Sequence, residues 1–120
     1  MADILVLDDV PDAVVLVQKI LTKQGHSVRT FTDEEEAIAF TRGNRVDLAI
    51  LDMKLKKMSG NQVLAEMKKI SPALKAIMLT GYPTIETAQE ARELGAGEYC
   101  VKPIDKRELE EKVAEMLARP

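Results

Sequence analysis

At 120 residues the chain reads as one domain, long enough to bury a sizeable core. A net charge of -3 and a pI near 5.2 exclude nucleic-acid binding by bulk electrostatics, and no apolar run approaches the ~20 residues a membrane span needs. The start, Met1-Ala2-Asp3, lacks the basic region and apolar core of a signal peptide, and the single cysteine, Cys100, cannot pair within the chain; both fit a reducing cytoplasm.

Ile4-Leu5-Val6-Leu7 is an unbroken apolar run and reads as a first strand covered on both faces, running straight into Asp8-Asp9. Val10-Pro11-Asp12 then starts a helix, with proline at its first position and an acid in its first turn. Leu16, Val17, Ile20 and Leu21 repeat at helical spacing, so this helix runs to about Lys23 and buries that stripe, with Gly25 stopping it. Val14 and Val15 fall off the stripe and are expected on the surface, where neighbouring apolar residues beside a site mark a partner surface. His26 follows at a helix-strand turn, exposed and without a role.

Ser27-Val28-Arg29-Thr30-Phe31 alternates as a strand nearer the sheet edge, and Thr32 or Asp33 can cap a second helix through Glu34-Glu35-Glu36 to about Arg42. Val46 to Asp52 is a third strand, again apolar and again ending in a carboxylate. From Met53 to Gly60 runs a loop with three lysines, and Ser59 or Gly60 opens a third helix carrying Val63, Leu64, Met67 and Ile70. Ser71-Pro72 closes it, because a residue before proline is pushed out of the helical region. A fourth strand covers about Lys75 to Leu79 and ends in Thr80. After Gly81-Tyr82-Pro83 comes a fourth helix from Thr84 to Leu94, with Ile85, Ala88, Ala91 and Leu94 facing in. Tyr99-Cys100-Val101 lies in the fifth strand, followed by Lys102-Pro103 and a last helix with Leu109, Val113, Met116 and Leu117 on one face.

Five strands alternating with five helices, joined by right-handed crossovers, predict an α/β fold with a doubly wound parallel sheet of order 2-1-3-4-5. Strands one and three then flank the switch point. Asp8, Asp9 and Asp52 would converge there, with Thr80 and Lys102 on the same edge. Clustered carboxylates need a cation or protons to coexist, and an all-oxygen donor set without paired His or Cys suits Mg²⁺. A carboxylate is also a competent phosphoryl acceptor when a metal and a lysine neutralise the transferring group. This points to Asp52 as nucleophile, Asp8 and Asp9 as metal ligands, and Thr80 and Lys102 on the phosphoryl oxygens.

These residues resemble the receiver domain of a two-component response regulator. The resemblance rests on Asp8-Asp9 after strand one, Asp52 after strand three, Gly60 eight residues on, Thr80 after strand four, Tyr99 in strand five and Lys102-Pro103 after it. It covers about Asp3 to Leu117, so residues 1–120 read as a single receiver domain of flavodoxin-like fold. It implies that Asp52 is phosphorylated from a histidine kinase or phosphotransfer domain, with Mg²⁺ on Asp8, Asp9, Asp52 and the carbonyl of Lys54. It also implies a cis Lys102-Pro103 bond and a switch in which Thr80 moves and Tyr99 turns inward from an exposed position. The face made by helix four, strand five and helix five would then bind an output partner or a second copy of the chain. Such a domain is not an enzyme beyond its own phosphorylation and dephosphorylation, and binds neither nucleic acid nor membrane. Three positions depart from the pattern: Lys56 stands where proline is usual, Gly81 where alanine is, and Val10 where a polar residue is.

Other readings are weaker on the same residues. A phosphohydrolase of the haloacid-dehalogenase type wants a second acid where Lys54 stands, and a flavin carrier wants a Ser/Thr/Gly-rich phosphate loop after strand one. A degenerate receiver that only binds partners would lack some of the phosphorylation residues, and all are present here.

Overall fold

The computed structural model describes residues 1–120. The elements follow in strict alternation: β1 (Asp3–Leu7), α1 (Pro11–Lys23), β2 (Ser27–Phe31), α2 (Glu34–Gly43), β3 (Leu48–Asp52), α3 (Gly60–Ile70), β4 (Lys75–Thr80), α4 (Ile85–Glu93), β5 (Glu98–Val101) and α5 (Lys106–Ala118). All four strand pairings are parallel, and the sheet order is β2-β1-β3-β4-β5, as the sequence predicts.

The apolar runs explain why β1, β3 and β4 are central. Every residue from Ile4 to Leu7 and from Leu48 to Leu51 is at most 2% exposed, which requires cover on both faces. Successive side chains point to opposite faces and feed two separate cores. Ile4, Val6, Leu48, Ile50 and Ile77 pack with Val14, Val17 and Leu21 of α1 and Leu109, Val113 and Met116 of α5. Leu5, Leu7, Ala49, Leu51 and Met78 pack with Ala37 and Ile38 of α2, Val63, Leu64 and Met67 of α3, and Ala91 of α4. No helix is long and apolar enough to cross a membrane.

Helix ends follow the local sequence. Asp33, Thr84 and Asp105 each accept an amide at the third position of α2, α4 and α5. Ser59 and Gln62 form a reciprocal capping box on α3, the feature that decides between Ser59 and Gly60 as the start. Gly25 and Gly95, after α1 and α4, adopt φ of 93° and 98°, the left-handed region that glycine enters without strain.

Three burial expectations are corrected. On α1 the buried residues are Val14, Val17 and Leu21, while Leu16 is 59% exposed. At 3.6 residues per turn Leu16 lies about 200° round from Val14, so both cannot face the sheet, and packing against α5 selects the Val14 side. On α4 only Ala91 is fully buried, and Ile85 is 80% exposed and belongs to neither core. His26 is half-buried rather than exposed: its Nδ1 accepts the Ala2 amide at 3.2 Å, and burial pushes its pKa down.

Candidate functional site

Strand register assembles the site. Leu7 pairs with Leu51, so Asp8 and Asp52 leave the sheet side by side, and Asp52 pairs with Leu79, which brings Thr80 to the same edge. Thr80 pairs with Val101, and the Lys102 amide donates to the Thr80 carbonyl at 2.8 Å, which turns Lys102 over the strand ends. The Lys102-Pro103 bond that follows is cis.

Ligand-capable oxygens of Asp8, Asp9 and Asp52 all lie within 4.8 Å of one another. Lys102 Nζ is 2.6 Å from Asp8 Oδ2 and 3.2 Å from Asp52 Oδ1. Asp8 Oδ1 accepts the Val10 amide at 3.0 Å, a turn that fixes the carboxylate and lets Pro11 begin α1 although Val10 offers no cap. Three carboxylates thus line a cleft of about 410 Å³ with the Lys102 ammonium against two of them and Lys54 as the other basic residue of the lining. The excess negative charge and the all-oxygen donors fit a small hard cation.

Burial, then the charge of Asp8, raises the pKa of Asp52, and Lys102 only partly opposes them. Burial works against the charge on Lys102, but its hydrogen bond to Asp8 and the nearby Asp52 and Asp8 charges outweigh it and raise its pKa. The site therefore holds a desolvated carboxylate, a fixed ammonium and an acid pair, open to solvent on one side. An incoming electrophile bearing negative oxygens would find a nucleophile and a cation together.

Thr80 lies deeper than the sequence suggests. It is 1% exposed, does not line the cleft, and its Oγ1 accepts the Tyr82 amide at 3.0 Å. Tyr99 is half-buried, not exposed: its ring joins the α2–α3–α4 core, and its hydroxyl meets Thr87 Oγ1 at 2.7 Å and the Thr84 amide at 3.4 Å. These two hydrogen bonds at the start of α4 already hold the hydroxyl, which is why the expected outward start is not found. Lys54 lines the cleft with its ammonium 4.3 Å from the ring centroid of Tyr82, a cation–π contact across the mouth.

Gly60 owes its place to proximity. A Cβ there would sit 2.3 Å from the Asp52 carbonyl oxygen, so only glycine lets α3 begin against the end of β3. Cys100 is buried and its thiol is pushed up in pKa by burial, so it is packing.

Two residues have a part in this geometry that the sequence reading does not assign: Asn61 is not singled out there, and Glu34 is named only as one of the acids that open the second helix. Asn61 is 1% exposed and donates to the Thr87 carbonyl at 3.2 Å and Glu90 Oε1 at 2.7 Å, tying α3 to α4. Glu34 is equally buried and accepts two amides of the β3–α3 loop. Nothing local distinguishes Glu34 from its neighbours Glu35 and Glu36. The position of Asn61 beside Gly60, at the start of a helix packed on β3, was the one available signal.

Comparison with known proteins agrees with this geometry. Residues 4–114 match the model of the response regulator receiver domain. The transcriptional regulatory protein ZraR of Salmonella typhimurium is 34% identical over 116 residues, which are 97% of this chain and 26% of that protein; the chain thus spans about a quarter of that relative. The CheY-like receiver domain protein from Methanospirillum hungatei superposes with a TM-score of 0.94 at 32% identity, covering 98% of this chain and 94% of that one. Response regulator TrrA of Thermotoga maritima, solved in complex with Mg²⁺-BeF, gives a TM-score of 0.86 at 34% identity, covering 97% and 99%. A match over nearly the whole chain, with the acids, the threonine and the lysine on one sheet edge, places this protein in the response regulator receiver domain family.

Proposed function

We propose that residues 1–120 form a single receiver domain that works as a phosphorylation-activated switch in the cytoplasm. Asp52 accepts a phosphoryl group from the phosphohistidine of a histidine kinase or phosphotransfer domain. The observation that carries this reading is the desolvated Asp52 carboxylate, with Lys102 Nζ 3.2 Å from it and the Asp8-Asp9 pair within ion-sharing distance. An Asp52 oxygen attacks phosphorus, the phosphorus–nitrogen bond breaks, and its electron pair returns to the imidazole of the donor. Lys102 holds the phosphoryl oxygens as charge shifts onto them. Asp8, Asp9, Asp52 and the Lys54 carbonyl would hold Mg²⁺, which when bound offsets the charge that the acids and phosphoryl oxygens accumulate. The chain acts on no external substrate beyond this transfer and the hydrolysis of its own aspartyl-phosphate, in which water attacks phosphorus and releases inorganic phosphate from the Asp52 carboxylate.

The output follows from what the phosphoryl group adds, up to about two negative charges and three acceptor oxygens. Thr80 exchanges the Tyr82 amide for a phosphoryl oxygen as its hydrogen-bond partner. Tyr82 and the start of α4 then lose a restraint, and Tyr99 moves with the Thr84–Thr87 hydroxyls that hold it. The α4–β5–α5 face is the readout, offered to an output partner or a second copy of the chain; this domain binds no nucleic acid or membrane. The test is incubation with acetyl phosphate and Mg²⁺, followed by mass spectrometry of the modified peptide. Phosphate on Asp52, lost in Asp52→Asn, is expected. Undiminished labelling of Asp52→Asn would overturn the assignment.

A further inference from the structure

Three acids in this protein are buried: Asp8 and Asp52 line the cleft, and Glu34 does not. Glu34 stands in the first turn of α2, between Asp33 and Glu35, whose side chains reach solvent. Its Oε2 alone accepts two backbone amides, from Lys57 at 2.5 Å and Met58 at 2.9 Å. Burial opposes its charge, yet the amides of Lys57, Glu34 itself and Met58 outweigh burial and lower its pKa. The Lys57 ammonium meets Asp33 Oδ1 at 2.7 Å and Glu35 Oε1 at 3.2 Å. Three successive residues, the N-cap Asp33 and Glu34 and Glu35 of α2, therefore grip one residue of the loop between β3 and α3.

That loop begins one residue after Asp52 and includes Lys54. Its two ends are fixed by strand and helix: the Met53 amide donates to Leu79, the Gly60 amide to Met53, and Ser59 caps α3. Between them lies Lys54-Leu55-Lys56-Lys57-Met58, with no proline to stiffen it. Lys54 is bridged to Ser59, and the amides of Lys57 and Met58 have Glu34 as their partner. Without that acceptor both amides would turn to water, and the chain from Leu55 to Met58, between the bridged Lys54 and Ser59, would sample many conformations.

We propose that Glu34 is a positioning residue for the phosphoacceptor site: by clamping the Lys57 and Met58 amides it preorganises the Lys54 segment and so raises the affinity of the cleft for a divalent cation it never touches. Residues that orient metal ligands from outside alter affinity through order, because a preset ligand loses less freedom on binding. The inference rests on reading Asp8, Asp9 and Asp52 as the cation site.

The test is titration of the whole chain with Mg²⁺, followed by amide chemical shifts of Asp8, Asp9 and Asp52, with hydrogen exchange at Lys57 and Met58. Glu34→Ala should weaken Mg²⁺ roughly tenfold, the lower end of what such outer partners contribute, and speed exchange at both amides. Glu34→Gln keeps an acceptor oxygen and should stay within roughly threefold of wild type, as a neutral acceptor is the weaker one. Lys57→Ala removes the ion pairs, leaves both amides in place and should bind Mg²⁺ like wild type. If Glu34→Ala does not fold, Glu34→Asp, one methylene too short to reach both amides, decides by the same criterion. Wild-type affinity in Glu34→Ala or Glu34→Asp overturns the clamp. A wild-type protein whose Asp8, Asp9 and Asp52 amides ignore Mg²⁺ overturns the cation site itself, which is a separable failure.

Discussion

Gly60→Ala tests the close approach on which the site is built. The added Cβ would meet the Asp52 carbonyl oxygen at 2.3 Å, the Met53 Cα at 2.9 Å and the Asp52 carbonyl carbon at 3.0 Å. Non-bonded carbon contacts are comfortable at about 3.5–4.0 Å, so roughly 1 Å must be recovered. All three atoms are backbone, so no side chain can swing aside. The Gly60 amide also donates to the Met53 carbonyl at 2.8 Å, tying the start of α3 to the residue it would have to leave. If α3 retreats, it lifts Val63, Leu64 and Met67, each 0% exposed, out of a close-packed core. Overpacking of this kind costs about 1–3 kcal/mol, and the better helix propensity of alanine returns at most about 1 kcal/mol. A net loss of about 1–2 kcal/mol is expected, a Tm lower by roughly 5–10 °C. Urea unfolding followed by circular dichroism measures it, with Gly43→Ala as control, since a Cβ there meets nothing within 4 Å. Equal midpoints for the two variants would refute the packing argument. The same variant should slow labelling of Asp52, because its own carbonyl is the atom displaced.

In metal-free buffer at neutral pH, Asp52→Asn should be more stable than wild type. The folded pKa of Asp52 is raised, by burial and then by Asp8, so its contribution is favourable at low pH and is lost as pH rises through that pKa. Denaturation midpoints in EDTA should show the Asn advantage at pH 7 shrinking towards acid pH; a destabilised variant at pH 7 counts against the electrostatic reading. Asp47 carries the opposite sign. The Asp3 amide, at 2.8 Å, and Arg45 lower its pKa against burial, so its contribution is present above the usual 3.8 and is lost as pH falls through the folded value. Asp47→Ala should lose about 1 kcal/mol at pH 7 and less at a pH below both values, where only the neutral carboxyl's bond to the Asp3 amide is removed, measured by urea melts along a pH series. Val15 and Leu16, 43% and 59% exposed on α1, form the apolar surface that Val14 does not. Leu16→Ser should slow phosphoryl transfer from a phosphohistidine domain while leaving labelling by acetyl phosphate intact, and equal loss of both would exclude docking there.

What the sequence determined is what local patterns encode. Apolar runs as short as Ile4–Leu7 and Ala76–Leu79 fall on central strands because only a strand covered on both faces needs every residue apolar. Their number, and the helices between them, leave little topological freedom; parallel pairing brings the ends of all the strands to one edge, and the order β2-β1-β3-β4-β5 makes Asp8, Asp52, Thr80 and Lys102 successive neighbours along it. Caps are equally local, since Asp33, Thr84 and Asp105 need only an amide three residues away.

Tertiary structure decided what depends on partners distant in the chain. Six of the eight residues from Val14 to Leu21 are aliphatic choices of equal local merit, and only the packing of α1 against β1 and α5 buries Val14 and exposes Leu16. Glu34 has the same neighbours and charge as Glu35, yet amides 23 and 24 residues away bury it. Tyr99 rests inward because Thr84, the N-cap of α4, and Thr87 within it supply amide and hydroxyl partners that no strand pattern reveals. Side-chain periodicity specifies which residues share a face. Which face wins, and which polar group is buried with it, is settled by atoms that the folded chain brings together.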